Sequence, residues 1–449
     1  MSIFRAYDIR GIAGKDLTED VAKNIGKAFG TYVEGGDIVV GRDCRLSSPA
    51  LRDSLIKGLM DSGCNVTDIG MVPTPVLYFA ISHYGKDGGI MITGSHNAPE
   101  YNGFKLCKGD KTLYGEDIQK LKNMVESGAF VAGEGKVTEE DVVDDYLKFV
   151  KDRIHLGKRK IAVVIDSGNG TAGEISGKLF EELGCRVTKL NWRPDGNFPN
   201  HHPDPTVDEF LKELIRRVKI ERADFGIAYD GDADRLGIVD DKGNIIRGDQ
   251  ILMLFARDVL KESHAKIIFE VKCSMALAED IREKGGIPIM YRTGHSFIKK
   301  KMREEGALLA GEMSGHFFFA DNYYGYDDGI FASARMAELL SNSKEKLSET
   351  IAKMPKYYST PEIRVPCPEE EKFRIVEEIT KKFQDKYEVI TVDGARVQVR
   401  GGWGLVRASN TEPALILRFE AKTEEKLDEI KELILDELRE FECVKDNLP

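Results

Sequence analysis

Three aspartates occupy alternate positions in the segment Tyr-Asp-Gly-Asp-Ala-Asp-Arg, between two apolar runs of β-strand character. Asp230, Asp232 and Asp234 can converge on a tight loop there, and like-charge repulsion allows this only if a cation lies among them. Three oxygen ligands suit Mg²⁺. An EF-hand calcium loop is excluded, because Arg235 stands at its sixth position and Asp241 at its twelfth. The alternative is a solvated acidic turn.

A second candidate site is the segment Thr-Gly-Ser-His-Asn at residues 93–97, which follows a strand-like run. Loops at strand ends display reactive side chains in α/β proteins, so we expect Ser95 and His96 to be exposed there. A serine-hydrolase site is disfavoured, because the G-x-S-x-G motif is absent and His96 is poorly placed to act as a base for Ser95. An ordinary turn is the alternative.

A third segment, Gly-Glu-Met-Ser-Gly-His at residues 311–316, could bind a sugar. Alternation would place Glu312, Ser314 and His316 on one side of an extended segment. Each of these side chains offers a donor or an acceptor to a hydroxyl group. The alternative is the polar face of an edge strand.

A fourth segment, residues 400–413, could hold a phosphate group. Arg407 supplies a planar fork of donors, Arg418 follows on the next strand-like run, and the intervening turn adds Ser409, Asn410 and Thr411. Such donors, together with loop amides, are suited to phosphate oxygens. A plain hairpin turn is the alternative. Arg10, Lys272 and residues 292–299 are weaker basic candidates, because surface cations are usually only solvated.

The composition excludes several classes of function. The chain has 449 residues, with 76 Asp and Glu against 65 Lys and Arg and a formal net charge of −11. This balance disfavours nucleic acids and acidic membranes as partners but does not exclude small anions. Hydrophobic residues at 41% and charged residues at 31% describe an ordinary globular protein.

The cysteines and the N-terminal segment bear on the cellular compartment. The seven cysteines are dispersed and form no C-x-x-C pair, which indicates reduced thiols. Charged Arg5, Asp8 and Arg10 stand where a signal peptide needs an apolar core. No apolar run approaches the roughly 18 residues of a membrane span. We therefore expect a cytoplasmic protein.

The candidate loops lie between elements that repeat three times along the chain. Each repeat has a β-type run, a helix-like segment, a glycine and a second β-type run, with the helix-like segments at residues 48–60, 175–183 and 275–283. Such alternation is typical of βαβ units in a mostly parallel sheet. The repeats therefore predict three α/β domains.

The C-terminal part follows a different pattern. Strand-like runs at residues 388–394, 397–400 and 415–419 precede a long helix with Leu427, Ile430, Ile434 and Leu438 at helical spacing. This pattern predicts a separate α+β domain. The predicted domain boundaries are 1–147, 148–248, 249–357 and 358–449.

Taken in this order, T-G-S-H-N, D-G-D-A-D-R, G-E-M-S-G-H and R-A-S-N-T-E-P closely resemble the motifs of the α-D-phosphohexomutase family, in its phosphomannomutase/phosphoglucomutase branch. The resemblance covers essentially the whole chain, from Tyr7 onward. It implies three doubly wound α/β domains and a C-terminal α+β domain around a central cleft, which agrees with the repeats.

The resemblance also implies roles for individual residues. Ser95 would carry the transferable phosphoryl group, and Asp230, Asp232 and Asp234 would hold an Mg²⁺ ion that also touches Ser95. His96 and Lys105 would flank the phosphoserine, with Arg235 at the end of the loop that carries the three aspartates (residues 230–235, the metal loop). Those that contact the sugar would be Lys272, His295, Glu312, Ser314 and His316. Those that hold the unreacting phosphate would be Arg407, Ser409, Asn410, Thr411 and Arg418. The family-matched candidates for general acid and base are Arg10, Lys105 and His316.

The implied activity is the interconversion of hexose 1-phosphate and hexose 6-phosphate through a bound 1,6-bisphosphate, with Mg²⁺ as cofactor and hexose 1,6-bisphosphate as activator. Met313 and the residues 408–410 differ from the glucosamine-phosphate branch and favour glucose and mannose phosphates. The alternatives are a phosphoglucosamine mutase, a Mg²⁺-dependent sugar phosphatase and a non-catalytic sensor of sugar phosphates. The expected partners are small sugar phosphates, with neither nucleic acid nor membrane, and the expected state is a monomer or small homo-oligomer.

Overall fold

The computed structural model describes residues 3–5, 7–409 and 412–449, and within them the strands form four separate sheets. Each sheet belongs to one of four consecutive parts of the chain, which we call the first to fourth domains. The fold is thus three α/β domains followed by an α+β domain, as predicted.

The first domain contains a mixed sheet of seven strands in the order β1-β5-β4-β2-β3-β7, with β6 beside β5. Its central strands β2, β3 and β4 are parallel. Its elements are β1 (Ile9–Ile12), α1 (Glu19–Val33), β2 (Gly36–Arg42), α2 (Ser48–Met60), β3 (Cys64–Met71), α3 (Thr74–His83), β4 (Gly88–Ile92), β5 (Tyr101–Lys108), β6 (Lys111–Thr112), α4 (Glu116–Ser127) and β7 (Val137–Glu139). Ile38 and Val40 face one core while Val39 faces another, so both faces of this sheet are covered.

The second domain follows a connecting helix, α5 (Val143–Lys151), inside which the predicted boundary at 147/148 falls. Its five strands run in the order β12-β11-β10-β8-β9, with β8, β9 and β10 parallel. Its elements are β8 (Ala162–Asp166), α6 (Ala172–Glu182), β9 (Arg186–Leu190), a 3₁₀ helix (Asp208–Leu211), α7 (Lys212–Glu221), β10 (Phe225–Tyr229), β11 (Leu236–Asp240) and β12 (Ile245–Ile246).

The third domain has four strands in the order β14-β13-β15-β16, of which only β16 is antiparallel to its neighbour. Its elements are α8 (Gly248–Val259), β13 (Lys266–Glu270), α9 (Met275–Glu283), β14 (Ile287–Tyr291), α10 (His295–Glu305), β15 (Leu309–Gly311), β16 (Phe317–Phe319), α11 (Gly329–Ser341) and α12 (Leu347–Ala352). The three predicted repeats correspond to β2-α2-β3, β8-α6-β9 and β13-α9-β14, and in each the two strands are parallel.

The fourth domain is an antiparallel sheet with helices packed on it. Its elements are β17 (Tyr358–Ser359), β18 (Ile363–Pro366), α13 (Lys372–Gln384), β19 (Glu388–Ile390), β20 (Ala395–Val399), β21 (Gly402–Ala408), β22 (Ala414–Ala421), α14 (Glu424–Leu438) and a 3₁₀ helix (Lys445–Asn447). The sequence patterns missed β21, whose glycines resemble a loop, although Trp403 and Leu405 in it are fully buried. In α14, Ile430, Ile434 and Leu438 are buried as predicted.

One apolar cluster runs without a break through the first, second and third domains, from Val39 to Met354. The fourth domain has its own core and meets the third through a small cluster of Val271, Trp403 and Leu405. In the part of the chain that the structure describes, no helix is both long and apolar enough to cross a membrane.

Helices α1 and α2 pack closely because glycine lies at the contact. A Cβ atom added to Gly58 would lie 2.0 Å from the carbonyl oxygen of Lys23, and one added to Gly26 would lie 2.4 Å from that of Leu55. Both oxygens belong to backbone, so neither can move without shifting a helix.

Gly58→Ala is therefore expected to destabilise the protein by about 3 kcal/mol, despite the better helix propensity of alanine. Denaturant unfolding, followed by circular dichroism, measures the change. The exposed Lys57→Ala on the same helix is the control and should stay close to wild type. Equal stability of the two variants would contradict the close packing.

Helix α5 is tied to the third domain through a buried carboxylate. Asp328 accepts hydrogen bonds from the hydroxyl groups of Tyr146 at 2.9 Å and Tyr323 at 2.6 Å, and from the amide of Phe331 at 2.8 Å. Burial raises the pKa of Asp328 to about 6, although these donors oppose the shift.

Because this pKa is above its unfolded value, the folded chain takes up a proton before the unfolded chain does as the pH falls. Relative to Asp328→Asn, the wild type should therefore gain roughly 2 kcal/mol of stability between pH 7 and pH 4. Parallel thermal melts of both proteins across this pH range test whether the wild type gains stability relative to the variant. A stability difference that does not depend on pH would count against it.

Candidate active site

The three aspartates lie at the tip of the β10–β11 hairpin and converge as their spacing predicts. One oxygen from each of Asp230, Asp232 and Asp234 lies within 4.8 Å of the others, and all three side chains are fully buried. The turn is tight because Ala233 adopts a left-handed conformation with φ of 60°. The alternative of a solvated acidic turn is therefore wrong.

The first domain supplies two partners to Asp232 in this loop. Lys105 on β5 donates from Nζ to Oδ2 of Asp232 at 2.6 Å and also to Asp234, and Thr74 at the start of α3 donates to Asp232 at 2.5 Å. Burial raises the pKa of Asp232, but the charge of Lys105 and these hydrogen bonds outweigh it and hold the pKa below its ordinary value. Burial and the two neighbouring carboxylates hold the pKa of Asp230 well above its ordinary value.

The loop fits a divalent cation. The Oδ1 atoms of Asp232 and Asp234 are buried and have no hydrogen-bond donor among the described residues. Unpaired buried carboxylate oxygens are costly, and hard oxygen ligands are those that Mg²⁺ prefers. The donor set is thus suited to Mg²⁺.

Ser95 lies directly against this loop. Its Oγ donates to Oδ2 of Asp230 at 2.6 Å. The side chain is buried, so the prediction of an exposed serine was wrong, because the metal loop covers it: a Cβ atom on Gly231 would lie 2.5 Å from the Ser95 carbonyl oxygen. Ser95 itself has φ of 48°, a strained conformation that is found at functional sites.

Arg45, which the sequence patterns missed, fixes the loop that carries Ser95. Its guanidinium donates to four carbonyl oxygens, those of Ser95 at 2.9 Å, Asn97 at 2.6 Å, Ala98 at 2.5 Å and Tyr101 at 3.0 Å. This side chain is fully buried. The strained backbone is thus held from a distant part of the first domain.

His96, next to Ser95 in the chain, contacts the second domain. Its Nδ1 lies 2.7 Å from Asp204, a residue that the sequence analysis did not single out. Burial and the nearby positive charge of Arg235 outweigh this carboxylate and lower the pKa of His96 to about 4. Arg235 donates from Nε to Nε2 of His316 at 3.1 Å, which connects the metal loop to the third domain.

Asp327 is a third residue that the sequence patterns did not indicate. Its Oδ2 lies 3.1 Å from Nδ1 of His316 and 3.4 Å from Nδ1 of His295, and its Oδ1 accepts a hydrogen bond from Lys299 at 2.8 Å. Burial and the charge of Lys299 lower the pKa of His295 to about 4. One buried carboxylate thus brings the two predicted histidines together.

Glu312, Ser314 and His316 lie in the turn of the β15–β16 hairpin, not on one side of an extended strand. The prediction of an extended segment was wrong because polar residues at alternate positions also occur in a tight turn, which Gly315 allows with φ of 91°. Glu312 is buried, which raises its pKa, and its Oε1 accepts the amide of Gly294 at 2.6 Å.

Glu270, at the end of β13, connects the three loops of the third domain that face the site. Its carboxylate accepts the amide of Lys272 at 2.9 Å, the hydroxyl of Thr293 at 2.9 Å and the amide of Met313 at 3.3 Å. Glu270 is fully buried. The loops that carry the predicted sugar contacts therefore keep a fixed relation to one another.

The weaker basic candidates also have acidic partners. Arg10, on β1, pairs with Asp8 at 2.8 Å and donates to Asn97 in the Ser95 loop. Lys272 donates to Glu362 of the fourth domain at 2.9 Å. Both residues are thus held by partners near the candidate site and are more than solvated surface cations.

The fourth domain contributes two buried arginines. Arg407, at the end of β21, donates from Nε to Asp393 at 3.1 Å, and Arg418 on β22 lies 3.9 Å from Asp249 of the third domain. Ser409 accepts the amide of Glu412 on its hydroxyl at 3.1 Å. The remaining two members of the predicted phosphate loop lie outside the described residues, namely Asn410 and Thr411.

A cleft of about 780 Å³ opens between the second, third and fourth domains, and His96 of the first domain also lines it. Five of the predicted residues line it, namely His96, Arg235, Lys272, Ser314 and Arg418. Ser95 and the aspartates are buried beside it. A serine against an acidic loop that fits a metal, next to a cleft with several cations, offers the positioning and positive charge that phosphoryl transfer requires.

Family models match all four domains of the chain. They are described as phosphoglucomutase/phosphomannomutase α/β/α domain I at residues 1–132, domain II at 144–243, domain III at 247–358 and the C-terminal domain at 362–437. The chain therefore belongs to the phosphoglucomutase/phosphomannomutase family, as its motifs indicate.

Individual relatives match over nearly the whole length. A phosphomannomutase/phosphoglucomutase of Pseudomonas aeruginosa is 49% identical over 453 residues, which cover 100% of this chain and 97% of the relative. A phosphoglucomutase of Neisseria gonorrhoeae is 50% identical over 438 residues, 96% of this chain and 95% of the relative. The crystal structure of a family protein from Burkholderia thailandensis superposes with a TM-score of 0.92 at 45% identity, covering 98% of this chain and 97% of that one.

Thr74→Val should weaken Mg²⁺ binding by about tenfold, because it removes the hydroxyl that orients Asp232 while keeping the volume of the side chain. Titration calorimetry with MgCl₂ measures the dissociation constant. The control is Thr67→Val, a buried threonine on β3 whose hydroxyl faces Lys86. Unchanged Mg²⁺ affinity in Thr74→Val would show that Thr74 does not position the metal loop.

Proposed function

We propose that this chain is a phosphohexomutase that interconverts the 1- and 6-phosphates of glucose, mannose or both through a phosphorylated Ser95. The observation that carries this proposal is the position of Ser95 Oγ, 2.6 Å from Asp230 in a carboxylate loop that fits Mg²⁺. A phosphoryl group on this oxygen would lie beside both the loop and the cleft.

The reaction is a pair of phosphoryl transfers in opposite directions. In the first, a hydroxyl oxygen of the sugar phosphate bonds to the phosphorus on Ser95 as the bond from Ser95 Oγ breaks. The sugar hydroxyl loses its proton and Ser95 Oγ gains one, which leaves a 1,6-bisphosphate and a free serine. The bisphosphate then turns end for end and returns its other phosphoryl group to Ser95.

The protein's contribution is position and charge, since phosphoryl transfer needs little covalent chemistry from it. Asp230, Asp232 and Asp234 would hold Mg²⁺, which would neutralise charge on the transferring group. Lys105 and Arg235 add fixed positive charge from two domains. His96 flanks the phosphoserine on the side of Asp204.

The far end of the substrate would be held by the third and fourth domains. Arg407 and Arg418, with Ser409, Asn410 and Thr411, are assigned to the unreacting phosphate. The sugar hydroxyl groups are assigned to Glu312 and Ser314, with Lys272, His295 and His316 around the ring. The site for the unreacting phosphate must accept both the 1-phosphate and the 6-phosphate. We therefore assign to it contacts that are possible in both orientations of the sugar.

Among the three candidates for general acid and base we place His316 first. Arg10 is paired with Asp8, and arginine does not lose its proton in proteins. Lys105 is occupied by two carboxylates. His316 offers imidazole nitrogens beside Arg235 and Asp327, and imidazole both accepts and donates protons.

Hexose 1,6-bisphosphate is the proposed activator, because it can restore the phosphoryl group to a serine that has lost it. Met313 and the residues 408–410 favour glucose and mannose over glucosamine phosphates. The seven cysteines are all free thiols, which supports a cytoplasmic location. A monomer or small homo-oligomer stays a prediction, as do the domain boundaries.

Ser95→Ala should lower mutase activity by at least about a thousandfold, because the phosphoryl carrier is lost. The assay supplies glucose 1-phosphate, Mg²⁺ and a trace of glucose 1,6-bisphosphate, and it follows both glucose 6-phosphate and inorganic phosphate. Intact-mass measurement should find one added phosphoryl group on the wild type and none on the variant. The exposed Ser127→Ala is the control.

The outcomes separate the alternatives. Full activity in Ser95→Ala would refute the phosphoserine mechanism. Inorganic phosphate released in step with turnover would indicate a sugar phosphatase, and binding without turnover would indicate a sensor. A higher kcat/KM for glucosamine phosphate than for glucose and mannose phosphates would indicate a phosphoglucosamine mutase.

A further inference from the structure

The third and fourth domains meet through a polar and aromatic contact that fixes their relative orientation. Arg396 on β20 stacks on Trp403, with its guanidinium carbon 3.7 Å from the ring centroid, and donates to the carbonyl oxygens of Val271 at 2.6 Å and Cys273 at 3.0 Å. Arg396 and Trp403 are fully buried. The loop that precedes β20 is therefore anchored against the third domain.

Asp393, in that loop, joins the two domains at the edge of the site. Its Oδ2 accepts the amide of Thr293 in the third domain at 3.0 Å and Nε of Arg407 in the fourth at 3.1 Å. The side chains of Arg407 and Asp393 are 7% and 11% exposed, so the pair is largely shielded from water. One carboxylate oxygen thus bridges a backbone group of one domain and a guanidinium of the other.

The segment that Asp393 contacts also carries the sugar site. Next to Thr293, the amide of Gly294 donates to Glu312 at 2.6 Å, and His295 follows at the start of α10. The hydroxyl of Thr293 donates to Glu270 at 2.9 Å. Asp393 therefore lies between Arg407 and the loop that sets Glu312.

We propose that Asp393 is a positioning residue that holds the guanidinium of Arg407 at a fixed distance from the sugar-binding loop. This inference rests on the proposed function, in which Arg407 binds the unreacting phosphate. Bonding through Nε restrains the plane of the guanidinium, and the two Nη groups can form a bidentate pair with an oxyanion. An arginine side chain without such a partner rotates freely, and it would lose this conformational entropy each time a substrate binds.

The direction in which phosphate binding changes when Asp393 is replaced distinguishes a positioning role from a purely electrostatic one. A carboxylate close to a bound phosphate repels it, so removing the charge alone should strengthen phosphate binding. If Asp393 orients Arg407, removing it should weaken binding instead. Asp393→Asn keeps an acceptor without the charge, whereas Asp393→Ala removes both.

The test is steady-state kinetics with glucose 1-phosphate at saturating Mg²⁺ and a fixed trace of glucose 1,6-bisphosphate. In Asp393→Ala we expect KM to rise about tenfold while kcat changes by less than about threefold, because the reacting phosphoryl group is at the other end of the substrate. Asp393→Asn should recover part of this loss. The exposed Asp428→Ala on α14 is the control, and thermal melts show that each variant is folded.

A double-mutant cycle with Arg407→Ala tests whether Asp393 acts through Arg407. In the Arg407→Ala background, Asp393→Ala should have little further effect on KM, because no guanidinium is left to orient. Calorimetry with inorganic phosphate should show weaker binding to Asp393→Ala than to wild type, whether or not turnover is measured.

Unchanged or lower KM in Asp393→Ala, tighter phosphate binding, or an equal effect in the Arg407→Ala background would each overturn the inference. These results leave the proposed function intact as long as the wild type interconverts the two sugar phosphates. The absence of that interconversion in the wild type would overturn the proposed function instead. A wild-type KM and phosphate affinity in Arg407→Ala would remove the role of Arg407 and the inference with it.

Discussion

Three carboxylates brought together in the protein interior are the constraint on which this site depends. Charges of one sign inside a protein repel strongly and lose their hydration, so they persist only with compensating cations. The first domain provides Lys105 and the loop of Ser95, and the metal loop itself provides Arg235. The need to neutralise one loop therefore also sets how the first and second domains pack together.

The other cations of the candidate site also have acidic partners. Lys272 is paired with Glu362, Arg407 with Asp393, and Arg418 lies near Asp249. Burying a cation without a partner is unfavourable. An acidic partner that accepts from one of its donor groups leaves the other donors for a ligand. The net charge of −11 is thus compatible with a site for anions, because the acids near the cleft also hold its cations in place.

Much of the architecture could be predicted because it depends on local patterns. The helix at residues 48–60 and the parallel strands on either side of it follow from apolar periodicity, and the aspartate spacing was enough to predict that the three carboxylates converge. Strand β21 was missed because its glycines resemble a loop. Arg45, Asp204, Asp327 and Asp393 were missed because each contacts residues of other elements or domains, and spacing within one motif carries no information about such contacts.

The continuous apolar cluster through the first three domains has a consequence for the shape of the cleft. Separating any of these domains would expose part of a common core, at a cost proportional to the apolar area uncovered. The fourth domain shares only a small cluster with them and keeps its own core. Opening the cleft at the fourth domain, which carries Arg407 and Arg418, would therefore uncover little apolar surface, but it would also break the hydrogen bonds of Arg396 and Asp393 to the third domain.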